Sequence, residues 1–127
     1  MPLIVWQDDY RVHIPEIDEQ HQEMIANLNR LADAVENRAQ LCALFSQFVD
    51  HVLMHCETEE NYLSRFDYLE AESHKRLHRA FIQKVSKLDV ELMEQRVQLS
   101  DEVMRFLGEW TREHLQVDQR WASLAKE

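Results

Sequence analysis

The chain is poor in the residues that interrupt helices, with one glycine and two prolines among its 127 residues. Both prolines, Pro2 and Pro15, come before residue 16, so nothing later in the chain forces a helix to end. Runs of β-branched residues are also missing, whereas Leu, Glu, Gln, Arg and Ala are plentiful. These absences favour an all-α fold and, at this length, a single domain over residues 1–127 with one core.

Excess positive charge, long apolar runs and a cysteine framework are absent too. The formal net charge of −10 argues against nucleic acid or an anionic membrane surface as a partner. No apolar run approaches the roughly 20 residues that span a bilayer, and the start MPLIVWQDDY lacks the features of a secretory signal. Cys42 and Cys56 lie too far apart on one predicted helix to form a disulfide. We therefore expect a reduced, cytoplasmic protein.

Apolar residues recur at helical spacing in four segments that follow a weakly alternating N-terminal arm over residues 1–17. The four predicted helices cover about 18–36, 38–64, 69–92 and 100–124. Asp18 is the predicted N-cap of the first helix, and Ser100 marks the start of the fourth. Long helices joined by short links predict an up-down-up-down antiparallel four-helix bundle over residues 18–124, preceded by an extended arm.

Two pairs of metal-binding side chains occur at helical spacing in the middle of the sequence. His55 and Glu59 are four residues apart, and so are His74 and His78. Residues at i and i+4 lie on one face of a helix, so each pair can direct two donors at one point. The rest of the chain supplies three further candidates, which are His21, His114 and Asp118.

The seven candidates fall early in helix one, late in two, early in three and late in four. In an antiparallel bundle these places share one end, and at about 1.5 Å per residue all seven lie within roughly 5–15 Å of it. Imidazoles and carboxylates suit first-row metals such as iron. Five imidazoles, two bridging carboxylates and a bridging oxide or hydroxide would fill all but one position around two six-coordinate ions. The vacant position predicts binding of one small ligand.

An ordered set of short motifs accompanies these residues. It comprises W-x-x-x-Y at 6–10, IDEQH at 17–21, H-x-x-x-E-E at 55–60, H-x-x-x-H at 74–78 and W-x-x-x-H at 110–114. Any one of them is weak, but the ordered set is specific and covers nearly the whole chain. On these motifs the chain resembles the bacterial hemerythrins.

The resemblance implies a non-haem centre of two iron ions (Fe2+/Fe3+), bridged by oxide or hydroxide, that binds O2 reversibly for transport, storage or delivery. It implies that His74, His78 and His114 hold one iron. His21 and His55 would hold the second iron, which keeps the open position. Glu59 and Asp118 would bridge the two ions. Azide and NO are further candidate ligands of such a centre.

An apolar surround that restricts water is expected from Ile25, Leu77, Phe81 and Trp110. The chain also departs from the family pattern. The last two ligands are spaced H-x-x-x-D rather than H-x-x-x-x-D, which predicts a regular α-helical turn there. The other departures, Thr111, Cys56 and His51, stand where the family often has Leu, Phe and Tyr.

Thr111 and Cys56 predict a smaller-walled or more polar O2 pocket, with faster autoxidation or easier entry of small molecules than in a pure carrier. His51 is expected to support the site as a hydrogen-bonded neighbour. Three other function classes compete with O2 carriage. One is an O2 or redox sensing module that acts through a separate partner, and another is a di-iron enzyme acting on peroxide or NO. The third is a structural or storage metal site, which a vacant coordination position makes less natural. The excess of His over carboxylate favours binding, because di-iron oxidases of the ferritin-like type are rich in carboxylates.

Overall fold

The computed structural model describes residues 3–34, 37–65, 71–94 and 101–125. The helices in these ranges are α1 (Pro15–Asp33), α2 (Arg38–Leu63), α3 (Ala71–Met93) and α4 (Asp101–Ala125). No strand occurs in the described part of the chain, so the prediction of an all-α four-helix bundle is confirmed. None of the described helices is both long enough and apolar enough to be a membrane span.

The start of α1 differs from the sequence prediction. The helix begins at Pro15, whose fixed φ and missing N–H suit the first helical position, so the N-cap assignment of Asp18 was wrong. Asp18 lies inside the helix, and its carboxylate accepts hydrogen bonds from the backbone N–H groups of Val12 (2.8 Å) and His13 (3.1 Å). Its role is therefore to hold the arm against the helix.

The other boundaries agree closely where they can be compared. The second helix ends at Leu63 rather than Ser64, and α3 ends one residue beyond Leu92. The first helix ends at Asp33, before the predicted end near Glu36, which is outside the described residues. The predicted starts at residues 69 and 100 also lie outside them.

The N-terminal arm is not extended throughout, because a 3-10 turn occupies Asp8–Tyr10. Its first described residues are bound by the side-chain amide of Asn29. The Asn29 Oδ1 accepts from the N–H groups of Leu3 (2.7 Å) and Ile4 (3.0 Å), and Nδ2 donates to the Ile4 carbonyl (2.8 Å). The Asn29 amide thus pairs with backbone N–H and C=O groups of the arm, as the backbone of a neighbouring strand would. The Ile4 side chain is buried in the core.

The core lies between the helices and extends from the donor cluster toward the opposite end of the bundle. Its completely buried side chains include Leu28, Leu31, Phe45, Phe48, Val85 and Leu107. Leu77 was predicted on the inward face of α3 but is 56% exposed. The inward-facing side of α3 is marked by its buried residues His74, His78 and Phe81. Each residue of an α-helix is rotated by about 100° from the one before it, so Leu77 falls roughly 70° away from that side.

We expect Asp18→Ala to lower the free energy of unfolding by about 2–3 kcal/mol, because two backbone donors lose a carboxylate acceptor. Asp18→Asn keeps one oxygen acceptor and should lose about half as much. Asp33→Ala, an exposed change on the same helix, is the control and should stay within about 0.5 kcal/mol of the parent. Chemical denaturation measures all three, and an equal loss for Asp18→Ala and Asp33→Ala would contradict the anchoring role.

Candidate metal centre

The structure brings all seven predicted donor side chains together at one end of the bundle. One comes from α1, and each of the other three helices contributes two. All seven are buried, with at most 6% of any residue exposed. They form two overlapping groups whose donor atoms lie within 4.8 Å of one another. The groups are His21, His55, Glu59, His114 and Asp118, and Glu59, His74 and His78.

All five imidazoles approach the carboxylates through the same ring atom, Nε2. The shortest distance from each Nε2 to a carboxylate oxygen is 3.0 Å or less. These distances are 2.8 Å for His21, 2.6 Å for His55, 3.0 Å for His74, 3.0 Å for His78 and 2.9 Å for His114. All five rings therefore present the same nitrogen atom to the two carboxylates at the centre of the cluster.

Glu59 lies at the centre of this arrangement, and its two oxygens face different histidines. Oε1 lies 3.0 Å from Nε2 of both His74 and His78 on α3. Oε2 lies 2.6 Å from Nε2 of His55 and 3.0 Å from that of His114. It also lies 3.4 Å from Nε2 of His21. One carboxylate therefore contacts both groups of donors, as a bridging ligand must.

Asp118 makes a second link between the groups. The helix α4 is regular through residues 114–118, as predicted, so the i+4 spacing keeps both side chains on one face. The Oδ2 atom of Asp118 lies 2.8 Å from His21 Nε2 and 2.9 Å from His114 Nε2, while Oδ1 lies 3.4 Å from His74 Nε2. By distance His114 groups with His21, and its predicted assignment to the ion held by His74 stays a prediction.

The charges of the cluster shift several pKa values. Burial alone would raise the pKa of Glu59, but His114 and His55 hold it well below the ordinary value. Burial and the neighbouring Glu59 would raise the pKa of Asp118, yet His114 and the contacts around it lower that pKa to about 2. Burial would lower the pKa of His114, but Asp118 and Glu59 raise it well above the ordinary value. Both carboxylates thus stay ionised and attract positive charge to the imidazoles.

Two contacts test whether a metal fits among these residues. His55 Nε2 and His114 Nε2 lie 3.0 Å apart, and Glu59 interacts directly with Asp118. Facing lone pairs and neighbouring buried carboxylates repel one another unless a proton or a cation lies between them. The donor set of nitrogen and oxygen atoms suits first-row divalent metals. The residues therefore fit a metal centre.

A residue outside the predicted set supports the site. The Oε1 of Gln20 lies 2.9 Å from Nδ1 of His55, on the ring side opposite the cluster. Sequence reasoning missed Gln20, and the only available signal was its place in the IDEQH motif. On α3 the Nδ1 of His78 lies 3.5 Å from Oε2 of Glu60, too far for a hydrogen bond of ordinary geometry.

The predicted pocket residues occupy different places around the cluster. Ile25 and Cys56 are buried in the core, and burial next to Glu59 raises the pKa of the Cys56 thiol, which therefore stays protonated. The Thr111 side chain is buried too, and its hydroxyl donates to the Leu107 carbonyl at 2.8 Å. Because this hydroxyl already has a partner, Thr111 changes the space near the site more than its polarity.

His51 is directed away from the donors. Its Nδ1 lies 2.7 Å from Nδ2 of Asn27, an amide on α1 that also accepts from Arg30 at 2.8 Å. His51 is partly exposed, with 27% of its side chain accessible, and its carboxylate neighbour at 3.8 Å is Glu23. The structure therefore places His51 in a polar contact between α1 and α2, one turn away from His55.

Stacked rings cover the site on the side of α4. The ring of Trp110 lies flat against Phe81, with centroids 3.5 Å apart and planes at 5°, and against His114 at 4.7 Å and 15°. Beside this stack lies a cavity of about 90 Å³ between α3 and α4. Its lining residues are His74, Leu77, His78, Trp110, Glu113, His114 and Val117. The cavity therefore borders the three histidines expected to hold the saturated iron, and neither His21 nor His55, where the open position was predicted, is among its lining residues.

A helical bundle with a buried cluster of five histidines and two carboxylates defines a metal-binding protein of the all-α class. The family model described as the hemerythrin HHE cation binding domain matches residues 12–120. The chain therefore belongs to the hemerythrin family.

Relatives and solved structures agree with this assignment. The chain is 32% identical to a bacteriohemerythrin of Stenotrophomonas maltophilia over 94% of this chain and 79% of that protein. It is 29% identical to a hemerythrin-like protein of Naegleria gruberi, over 87% and 82% of the two chains. A crystal structure of wild-type hemerythrin superimposes with a TM-score of 0.88 at 21% identity, over 95% of this chain and 96% of that one. This last likeness shows the fold.

Proposed function

We propose that this protein binds O2 reversibly at a di-iron centre and serves in oxygen transport, storage or delivery. The observation that carries the proposal is the convergence of five Nε2 atoms on two buried carboxylates that each contact histidines of both groups. The bacteriohemerythrin relatives support the same activity. We propose no catalytic turnover of a substrate.

In this proposal the ligands are His21, His55, Glu59, His74, His78, His114 and Asp118. Two iron ions, joined by oxide or hydroxide, would supply the electrons that O2 takes up on binding and returns on release. Glu59 and Asp118 would bridge the ions, since each carboxylate faces both groups of histidines. The imidazoles keep the centre rich in neutral nitrogen donors, which favours reversible binding over oxidation chemistry.

The residues around the donors protect the bound gas from water. Trp110 and Phe81 form a flat, closely stacked wall, and His114 extends the stack to the ligands. Ile25, one turn after His21, and Cys56, next to His55, belong to the buried hydrophobic core. Limited access of water and protons slows the loss of reduced oxygen species, which is what a carrier requires.

The direct test uses protein loaded anaerobically with ferrous iron, exposed to O2 and then degassed. We expect an absorption change that appears with O2 and reverses on degassing over several cycles. Irreversible oxidation with release of peroxide, or turnover of added peroxide or NO, would favour the enzyme alternative and contradict carriage. Reversible O2 binding whose affinity changes when a partner protein is bound would favour the sensing alternative.

Thr111→Leu should slow autoxidation of the oxygenated protein several-fold, because a larger apolar side chain, three residues from His114 on α4, further restricts water and protons near the site. Thr111→Val removes the hydroxyl and keeps the volume. We expect no change for that variant, since the hydroxyl is engaged by the Leu107 carbonyl. Decay of the oxygenated spectrum measures both rates. Equal rates for Thr111→Leu and the parent would contradict the role given to this position.

A further inference from the structure

A chain of three hydrogen bonds connects the surface of α2 to the outer nitrogen of His55. The Thr58 hydroxyl donates to the Met54 carbonyl (3.0 Å), and Gln20 Nε2 donates to Thr58 Oγ1 (3.2 Å). Gln20 Oε1 then lies 2.9 Å from His55 Nδ1. We propose that Gln20, held by Thr58, is a positioning residue that fixes the tautomer and ring orientation of His55. This inference rests on the proposed metal-binding role of His55.

The direction of each bond follows from the number of protons available. A hydroxyl has one proton, and that of Thr58 goes to the Met54 carbonyl, which can only accept. The Thr58 oxygen must therefore accept from its other neighbour, and this requires the NH2 group of Gln20 to face it. The amide oxygen of Gln20 is then the atom that faces His55. Thr58 thus selects between the two orientations of the Gln20 amide.

The orientation of the Gln20 amide determines where His55 carries its proton. An amide oxygen cannot donate, so Nδ1 of His55 must carry the hydrogen that joins them. A neutral imidazole protonated at Nδ1 has its lone pair on Nε2. That Nε2 is the atom 2.6 Å from Glu59 Oε2 and 3.0 Å from His114 Nε2. The hydrogen-bond chain therefore presents a lone pair of His55 to the metal site.

The chain also couples two helices at the site. Gln20 and His21 are consecutive on α1, so one turn of this helix supplies a donor of its own and the partner that orients a donor on α2. By contrast, Nδ1 of His21 and Nδ1 of His74 have no hydrogen-bond partner among the described residues. His78 Nδ1 also lacks such a partner, so among these four histidines only His55 has its outer nitrogen held by a hydrogen bond.

The test measures Zn2+ affinity by chelator competition, because zinc is diamagnetic and leaves O2 chemistry aside. Gln20→Ala removes the acceptor and should weaken binding about 10–100-fold. Gln22→Ala, an exposed glutamine on the same helix, is the matched control and should bind as the parent does. Gln20→Glu keeps an oxygen acceptor and should restore affinity to within a few-fold. Thr58→Val frees the amide to reverse and should cause a smaller loss than Gln20→Ala.

Nitrogen-15 NMR of the zinc-loaded proteins gives a readout that a merely structural role would not move. We expect the proton on His55 Nδ1 to exchange slowly with water in three proteins, which are the parent, Gln22→Ala and Gln20→Glu. In Gln20→Ala the same proton should exchange rapidly, while circular dichroism shows the helices intact. If Gln20→Ala does not fold, slow exchange in Gln20→Glu together with faster exchange in Thr58→Val still supports the proposal.

Two results would overturn it. One is a parent protein in which His55 carries its proton on Nε2, and the other is Zn2+ affinity and proton exchange in Gln20→Ala equal to those of Gln22→Ala. Both measurements are independent of O2. A protein that holds zinc as expected but never binds O2 reversibly would contradict the proposed function and leave this inference intact.

Discussion

Replacing Glu59 with Ala is expected to reduce the bound metal from two ions to at most one per chain. Its two oxygens contact Nε2 atoms of four histidines at 3.0 Å or less, two on each side, so one substitution removes a donor from both groups. The remaining ion should bind at least about 100-fold more weakly, because it loses a carboxylate ligand, and loss of a residue that merely supports a ligand already costs about 10–100-fold in metal affinity.

Metal analysis after equilibrium dialysis measures the stoichiometry, and chelator competition measures the affinity. Glu57→Ala provides a matched control, because Glu57 lies two residues away on α2 with its side chain exposed. That variant should keep two ions at the affinity of the parent. Two tightly held ions in Glu59→Ala would show that this carboxylate does not join the two groups.

The stability of chelator-treated protein is expected to fall as the pH rises above about 6.5. Burial would lower the pKa values of His55 and His114, but Glu59 and Asp118 raise both above the ordinary value. A group whose folded pKa is raised stabilises the fold fully below its unfolded pKa. That stabilisation is lost as the pH increases through the folded pKa.

At low pH the expected trend is the opposite one, with stability falling as the pH decreases. The pKa of Asp118 falls from 3.8 to about 2, so its contribution is complete above pH 3.8 and disappears as the pH decreases toward 2. A difference of this size corresponds to about 2–3 kcal/mol. Urea denaturation across the pH range should thus show a maximum between about pH 4 and 6.5. Stability that rises steadily from pH 6.5 to 9 would contradict these assignments.

Metal reverses the alkaline trend, because the same imidazoles must lose their protons before they can bind an ion. The affinity for Fe2+ or Zn2+ should therefore increase as the pH rises from 6 to 8. The loaded protein should gain stability over the interval in which the chelator-treated protein loses it. Asp118→Asn should remove only the Asp118 part of the stability loss at low pH, because the pKa of Glu59 is also held well below its ordinary value.

The convergence of the donors could be predicted because two simple geometric rules specify it. The i+4 spacing puts His55 with Glu59, and His74 with His78, on common faces, and antiparallel helices bring their neighbouring ends to one level. The same spacing rule correctly predicted a regular turn between His114 and Asp118. The spacing of residues along the sequence is sufficient to predict side-chain positions where the chain is a regular α-helix.

Features that depend on individual side-chain contacts could not be predicted. Asp18 resembled an N-cap by residue type, but Pro15 starts the helix and the carboxylate caps the arm instead. Leu77 fitted an apolar stripe and yet lies at its edge, more than half exposed. The amide of Gln20 on α1 contacts His55 on α2, and no spacing rule along a single helix can indicate a contact between two helices.

Seven side chains from four helices are expected to hold two metal ions and leave room for one small ligand. Anomalous diffraction at the iron absorption edge, on crystals loaded anaerobically with ferrous iron, locates the ions themselves. We expect two iron peaks enclosed by the five Nε2 atoms and the two carboxylates, with one coordination position open. A single peak, peaks away from Glu59 and Asp118, or two ions with every position filled by protein would contradict this expectation.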